Sequence, residues 1–376
     1  MKQLLLFLFS IFLLSSCQNN GTEERPSITF STNRNLMAPL EITQIGETQT
    51  KEIKLKSSEK TVFSPGIKER TLFMLQIPGR KLKAPLSVGV DEAIKIHISD
   101  KTLSGYQVEG SEESEKLAQF HEAMLKTDLK MQQHMRKIMN SARKGDFSTT
   151  RQKALKAMET GRDTLQRIAV SIIEDEPGAL SNIIILQQTF GDQNLLPVET
   201  FTDIHEKVAS GLTESYPGNA TAQEYQEKIR NSLERLKEKK QALQKTQPGN
   251  QAPNLRLPEN DNKLVSLGNI DNKVVLVFWK PDDKETVNMI RKLKELLNQH
   301  QNLHVYAVSI YPNVQLWEQT APNVKRWINV TEPNGLDASS AKTYGINSTP
   351  VFFLLDEEQI ITARTKSVDE IADAIR

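Results

Sequence analysis

The spacing of apolar residues along the chain changes twice. From Ile28 to Val108 they fall in short runs, many alternating with polar residues: Ile28–Phe30, Leu40–Thr43, Ile53–Leu55, Leu72–Leu75, Leu86–Val88, Ile94–Ile98 and Tyr106–Val108. Pro39, Gly46, Pro65-Gly66, Pro78-Gly79 and Gly89 punctuate them. Segments of period two with turn residues between them predict strands. Their close spacing predicts an antiparallel β-sandwich-like domain over residues 27–110. His97 lies inside one strand pattern and reads as a structural histidine.

From Glu115 the period becomes helical. Leu117, Phe120, Met124, Met131, Met135 and Ile138 trace one face up to Gly145-Asp146. Leu155, Met158, Leu165, Ile168 and Ile172 trace another between Thr150 and Pro177-Gly178. Ala179–Phe190 is apolar nearly all round and predicts a short helix at the centre of a bundle. Pro197 and Pro217-Gly218 bracket a further helix, and the last spans Thr221–Lys245. The methionines of the first face could serve as soft thioether ligands, but at helical spacing they predict core filling. Residues 111–246 read as an α-helical middle region.

Beyond them strands and helices alternate, which predicts a C-terminal α/β domain over 247–376. Val274–Trp279 is an apolar, β-branched run and predicts a strand covered on both faces. Lys280-Pro281 breaks it, and Asp282 with Glu285 three positions on gives a capping-box start for the next helix. A strand running into a helix N-terminus suits a reactive group, because free N–H groups and the helix dipole favour an anion there. Leu303–Ile310 and Val351–Leu355 predict further core strands, and Val368–Ile375 a closing helix.

Composition narrows the chemistry. A net charge of +1 and the lack of a basic patch interleaved with aromatics predict no nucleic-acid partner. The single cysteine, Cys17, excludes an intrachain disulfide, a cysteine zinc cluster and any dithiol reaction. No metal and no cofactor is expected. Met1-Lys2 followed by the apolar Leu4–Leu14 has the form of a secretory signal, too short to span a bilayer.

Four stretches resemble known families. Leu14-Ser15-Ser16-Cys17 resembles a bacterial lipobox. That implies a leader over residues 1–16, acylation of Cys17, and a polar tether over 17–26. Leu276-Val277-Phe278-Trp279 resembles the strand before the active site of thioredoxin-like proteins of the TlpA and AhpC/TSA type. Gln247–Pro258 is similar to that family's opening segment, and Tyr344–Asp356, with Thr349-Pro350, to its proline loop and following strand. The family places Cys-x-x-Cys three residues after the Phe-Trp pair, where this chain has Asp283 and Thr286. The layout of the first two regions is similar to modules that precede thioredoxin domains in lipoproteins of Bacteroidetes-type bacteria.

The resemblance implies a lipid-anchored protein of the bacterial cell envelope, at the outer membrane and facing the periplasm or the surface. Its thioredoxin-like domain would be redox-inactive, with no catalytic residue. It would act as a peptide- or protein-binding scaffold through Trp279, Thr349 and Pro350, the family holding extended polypeptides beside a cis-proline. The expected partners are the membrane, through Cys17, and an extended peptide or envelope protein. The alternative, a thiol-disulfide oxidoreductase or antioxidant enzyme named from its fold, is disfavoured because disulfide exchange needs a thiolate. A third reading leaves the thioredoxin-like domain as a relic and the first two regions as the working parts.

Overall fold

The structure, a computed structural model, describes residues 26–36, 38–80, 83–99, 103–141 and 147–375. The leader, Cys17 and all but the last position of the tether lie outside the described residues. Two compact units divide between Ile229 and Arg230. Among the described residues no helix is long and apolar enough to cross a membrane.

The N-terminal unit opens with β1 (Ser27–Thr32), β2 (Leu40–Gln44), β3 (Thr50–Ile53), β4 (Lys60–Phe63), β5 (Thr71–Gln76), β6 (Lys83–Val88), β7 (Ala93–Ile98) and β8 (Tyr106–Glu109). They form two four-stranded sheets, ordered β4-β1-β7-β8 and β3-β2-β5-β6. The inward residues of both, such as Ile28, Phe30 and Ile96 from one and Leu40, Leu75 and Leu86 from the other, make a single core. The sandwich is antiparallel except where β7 lies parallel to β1. The chain crosses between the sheets repeatedly: β4 returns antiparallel beside β1 before β5 and β6 complete the second sheet, and β7 then comes back on the other side of β1 in the same direction. The strand β4 has no counterpart in the sequence reading, because an edge strand half exposed to water carries too few apolar positions to show. His97 is satisfied by Ser31 Oγ at 3.1 Å, as a structural histidine should be.

Helices follow: α1 (Glu112–Ser141), α2 (Phe147–Asp175) and α3 (Asn182–Leu186), then the small hairpin of β9 (Thr189–Phe190) and β10 (Gln193–Asn194), then α4 (Thr202–Ser215) and α5 (Ala220–Lys245). The predicted helix over Ala179–Phe190 is shorter than expected. Gly191 at φ +67° turns the chain into the hairpin instead. In α2 Leu165 is buried as predicted, but the rest of the seam is Ala154, Ala169 and Ile173, one position away from the predicted Leu155, Ile168 and Ile172. Alanines on the seam let α1 and α2 approach closely, and Leu155 is left in solvent. The α1 methionines do not fill the core, since Met124 and Met131 are half-buried and Met135 is exposed; Leu117 and Phe120 are the buried residues of that face.

A buried ionic hub ties this unit together. Glu113, 4% exposed, accepts hydrogen bonds at Oε2 from Ser87 Oγ and the Ser181 N–H, both at 2.8 Å. Its Oε1 faces Arg70 Nε at 3.2 Å and accepts from the Tyr216 hydroxyl at 3.2 Å. Arg70 also meets Glu92 at 2.6 Å. One carboxylate thus joins β6, α1 and the ends of α3 and α4.

His205 on α4 is buried between the Leu196 carbonyl and the Tyr225 hydroxyl, each 2.8 Å from a ring nitrogen. A carbonyl only accepts, so Nε2 carries the proton and Nδ1 accepts from the tyrosine. Burial lowers the pKa of this histidine, against the opposing pull of the Leu196 carbonyl. The unfolded chain therefore binds a proton that the folded one resists. The stabilisation is complete above the ordinary histidine range near pH 6.5 and is expected to fall as pH drops from there towards the lowered folded value, by at most ~1.4 kcal/mol per pH unit. Denaturant midpoints between pH 7 and 5, compared with those of His205→Gln, check this: the variant should lose much of the slope.

The C-terminal unit contains β11 (Arg256–Pro258), β12 (Leu264–Ser266), β13 (Lys273–Trp279), α6 (Thr286–Gln299), β14 (Leu303–Ser309), α7 (Val314–Thr320), β15 (Trp327–Thr331), α8 (Ser339–Thr343), β16 (Val351–Leu355), β17 (Ile361–Thr365) and α9 (Val368–Ile375). Its five-stranded sheet runs β15-β14-β13-β16-β17. The neighbours β14 and β15 continue β13 in parallel, β16 runs antiparallel to β13, and β17 runs antiparallel to β16. Alternation along the central strand β13 serves two cores. Val275, Val277 and Trp279 pack with α6 and α9, while Val274, Leu276 and Phe278 pack with Tyr344 and Phe353 on the other side. The end of α5 belongs to this unit. Gly345, at φ +62°, leaves so little room that a Cβ there would lie 3.2 Å from Leu243.

Candidate functional site

The register of the central strands assembles the site. Phe278 of β13 pairs with Val351 of β16, so the chain leaving β13 passes the chain entering β16. Thr349-Pro350, a cis peptide bond, is placed there. Thr349 Oγ1 donates to Asp283 Oδ2 at 2.7 Å, across 66 residues of sequence. The two stretches that the sequence marks as separate motifs therefore touch through one side-chain hydrogen bond.

Local order explains the rest. Helix α6 begins at Thr286, with Glu285 at its N-cap and no side-chain capping bond. The expected capping by Asp282 or Asp283 does not form, because the turn places Asp283 three residues before the helix and gives its carboxylate to Thr349. A backbone bond from Thr286 N–H to Asp283 O at 3.0 Å closes that turn. Thr286 is buried and donates its hydroxyl to the Lys280 carbonyl at 2.7 Å. On the rim, the Asp282 carboxylate faces Tyr311, which lies just past β14, and raises the pKa of that phenol.

Trp279 is 1% exposed and lies in the core beneath α6, its indole N–H without a hydrogen-bond partner among the described residues. It braces the end of β13. Thr349 and Pro350 are half-buried at the surface, and Val287, the first residue after Thr286, is 79% exposed. Sequence reasoning missed the Asp283–Thr349 bond and the Tyr311 contact. The available signal was topological: chain ends after parallel strands converge, so the residues following β13 and β14 should share one rim.

Chemically, the site offers a carboxylate held by a hydroxyl, a second carboxylate beside a phenol, and an apolar side chain open to water. It offers no thiol. Among the described residues no group of three histidine, cysteine or acidic side chains could share a metal ion. Thr349→Ala is expected to cost the C-terminal unit about 1–2 kcal/mol, because it removes a hydrogen bond to a charged acceptor. Thr349→Ser should restore most of that. Tryptophan-detected denaturation of the three proteins is the check.

Residues 248–364 match the AhpC/TSA family. The chain is similar to a thiol-disulfide oxidoreductase from Bacteroides fragilis, at 21% identity over 33% of this chain and 96% of that one, with a TM-score of 0.30. It is similar to the thioredoxin domain of a thiol-disulfide oxidoreductase from Bacteroides vulgatus, at 19% identity over 35% of this chain and 99% of that one, with a TM-score of 0.30. A thioredoxin-like protein from Bacteroides caccae is similar over 62% of this chain and 82% of its own length, at 15% identity and a TM-score of 0.33. No curated protein matches the chain. The family match, together with the sheet order and the cis-proline loop facing the first turn of α6, gives the C-terminal unit a thioredoxin-like fold. With only Cys17 in the chain, a Cys-x-x-Cys pair is absent from it.

Proposed function

We propose that this thioredoxin-like unit is redox-silent and acts as a binding module for an extended peptide or envelope protein. The observation that carries the proposal is Asp283, which occupies the first of the two positions where the family has cysteine and is bonded to the threonine of the proline loop. A thiolate nucleophile is required for disulfide exchange, and neither an aspartate nor a threonine hydroxyl replaces it. An extended segment could still lie along the Thr349-Pro350 backbone, with apolar contact from Val287. The same reading makes the protein an envelope lipoprotein anchored through acylated Cys17, at the outer membrane.

Two experiments test these parts. Reduced, unfolded polypeptides titrated onto the full chain should bind saturably and compete with one another. A linear, non-saturating response would remove the peptide-capture role. For the anchor, Cys17→Ser should move the protein out of the membrane fraction and abolish incorporation of labelled fatty acid. Unchanged labelling would refute acylation at that residue.

The AhpC/TSA match favours a second reading, oxidoreductase or peroxide chemistry by family. It requires turnover in insulin reduction or peroxide consumption by the isolated protein. The redox-silent reading expects none, with or without Cys17.

A further inference from the structure

A groove of about 430 Å³ runs between α1 and α2 on one side of the hairpin. At its inner end a Cβ on Gly161 would lie 3.1 Å from the Thr127 side chain, so the helices are close together there. Lys130 and His134, one turn apart on α1, line one wall, and Lys153 and Lys156 of α2 line the other. By helical period Met131, Ala157 and Gly161 lie nearest the seam between the helices and make an apolar floor.

The free hydrogen-bonding capacity of this groove is cationic. The hydroxyls of Thr127, Thr160 and Thr164 each donate to the carbonyl four residues back on their own helix, at 2.9, 2.9 and 2.8 Å. Among the described residues no carboxylate lines the groove. Asp128, the one acid among the described residues from Thr127 to Ala157, lines a separate cavity with Met74 and Ile184. Lys130, Lys153 and Lys156 form no ion pair among the described residues, whereas Lys126, one turn earlier on α1, is answered by Glu122 at 2.7 Å. The whole chain carries a net charge of only +1, so this excess is local. A cleft lined by charges of one sign focuses their field and concentrates ions of the other.

We propose that the groove binds a small soluble ligand carrying two or more phosphate groups on a compact body. Lysine ammonium groups take phosphate oxygens as point charges, without the planar fork that arginine needs. Cations on both walls suit a ligand that bridges them, since a lone phosphate satisfies one wall and leaves the other unanswered. The volume is that of a small-molecule site. A nucleic-acid strand is a poor occupant, because no phenylalanine, tyrosine or tryptophan lines the groove for bases to stack on. A lipid is poor too. The exposed Met139 and Leu155 lie by helical period on the opposite side of the helix pair, so nothing beside the groove would seat acyl chains.

The test is calorimetric titration of the full chain with tripolyphosphate and with orthophosphate at matched ionic strength. Tripolyphosphate should bind saturably at one site, about tenfold more tightly than orthophosphate, and more weakly as salt is raised. Lys130→Gln with Lys153→Gln and Lys156→Gln should weaken that binding by about tenfold. Arg136→Gln with Arg151→Gln, which removes two charges outside the groove, should leave it unchanged. Ala157→Phe fills the floor, keeps every charge and should weaken binding as well. Equal affinity for the two phosphates overturns the proposal, as does full affinity in Ala157→Phe. So does an equal loss in both charge variants, which would make binding a matter of net charge. Binding to vesicles of phosphatidic acid without binding to free tripolyphosphate also overturns it.

Discussion

Glu113→Ala is expected to destabilise the N-terminal unit by about 3–5 kcal/mol, the largest loss from any single substitution considered for it. The carboxylate is buried and answers four groups at once, from Ser87, the Ser181 backbone, Tyr216 and Arg70. Removing it takes one of two carboxylates from the Arg70 guanidinium, which keeps Glu92, and strands a buried N–H and two hydroxyls. Orphaned buried donors cost more than the net gain of the bonds they once made. For a unit of this size the midpoint of thermal unfolding should drop by roughly 10 °C. All three tryptophans, Trp279, Trp317 and Trp327, lie in the C-terminal unit. Helical circular dichroism should therefore show the shift and tryptophan emission should not. Pairing Arg70→Met with Glu113→Leu should lose less than the two single losses added together, because no buried charge is then left alone.

Asp283→Cys with Thr286→Cys is expected to give the site disulfide-exchange activity. A backbone hydrogen bond at 3.0 Å spans these two positions as a tight turn, which brings their Cα atoms within the range a disulfide requires. The N-terminus of α6 would favour the thiolate. Insulin reduction by the double variant in the presence of dithiothreitol should rise clearly above that of the natural protein, as the engineered dithiol is oxidised and the substrate disulfide takes up its two electrons. Each single variant should stay at the background rate, since one thiol cannot release its own mixed disulfide. A double variant that forms the disulfide and still fails to turn over would show that more than sulfur has been lost. The cost in stability should be small, about 1–2 kcal/mol, from losing the bonds of Asp283 to Thr349 and of Thr286 to Lys280.

Much of this architecture is legible because its signals are local. The run Val274–Trp279 is apolar at every position, and only a strand covered on both faces uses such a run without waste. The β-sandwich strands announce themselves by alternation, apart from Lys60–Phe63, which is too exposed to carry one. Helix phases are harder. The methionines of α1 follow a helical period into a region where nothing covers them, and the α2 seam runs through alanines that no hydrophobicity pattern selects. Periodicity reports which face is apolar, and burial depends on whether another element arrives to cover it.

By itself, the sequence determined the three-part succession of strands, helices and α/β fold, and it excluded a dithiol reaction by holding a single cysteine. These follow from composition and short-range spacing, which need no knowledge of neighbours. Only the tertiary structure decided that Asp283 holds Thr349 rather than capping α6, that Trp279 supports the site from beneath, and that Glu113 is the hub of the N-terminal unit. Each of these depends on groups tens of residues apart meeting in space, and the register of β13 against β16 or the docking of α1 on β6 brings them together. A side chain's partner is set by that meeting, so its neighbours in sequence do not reveal it.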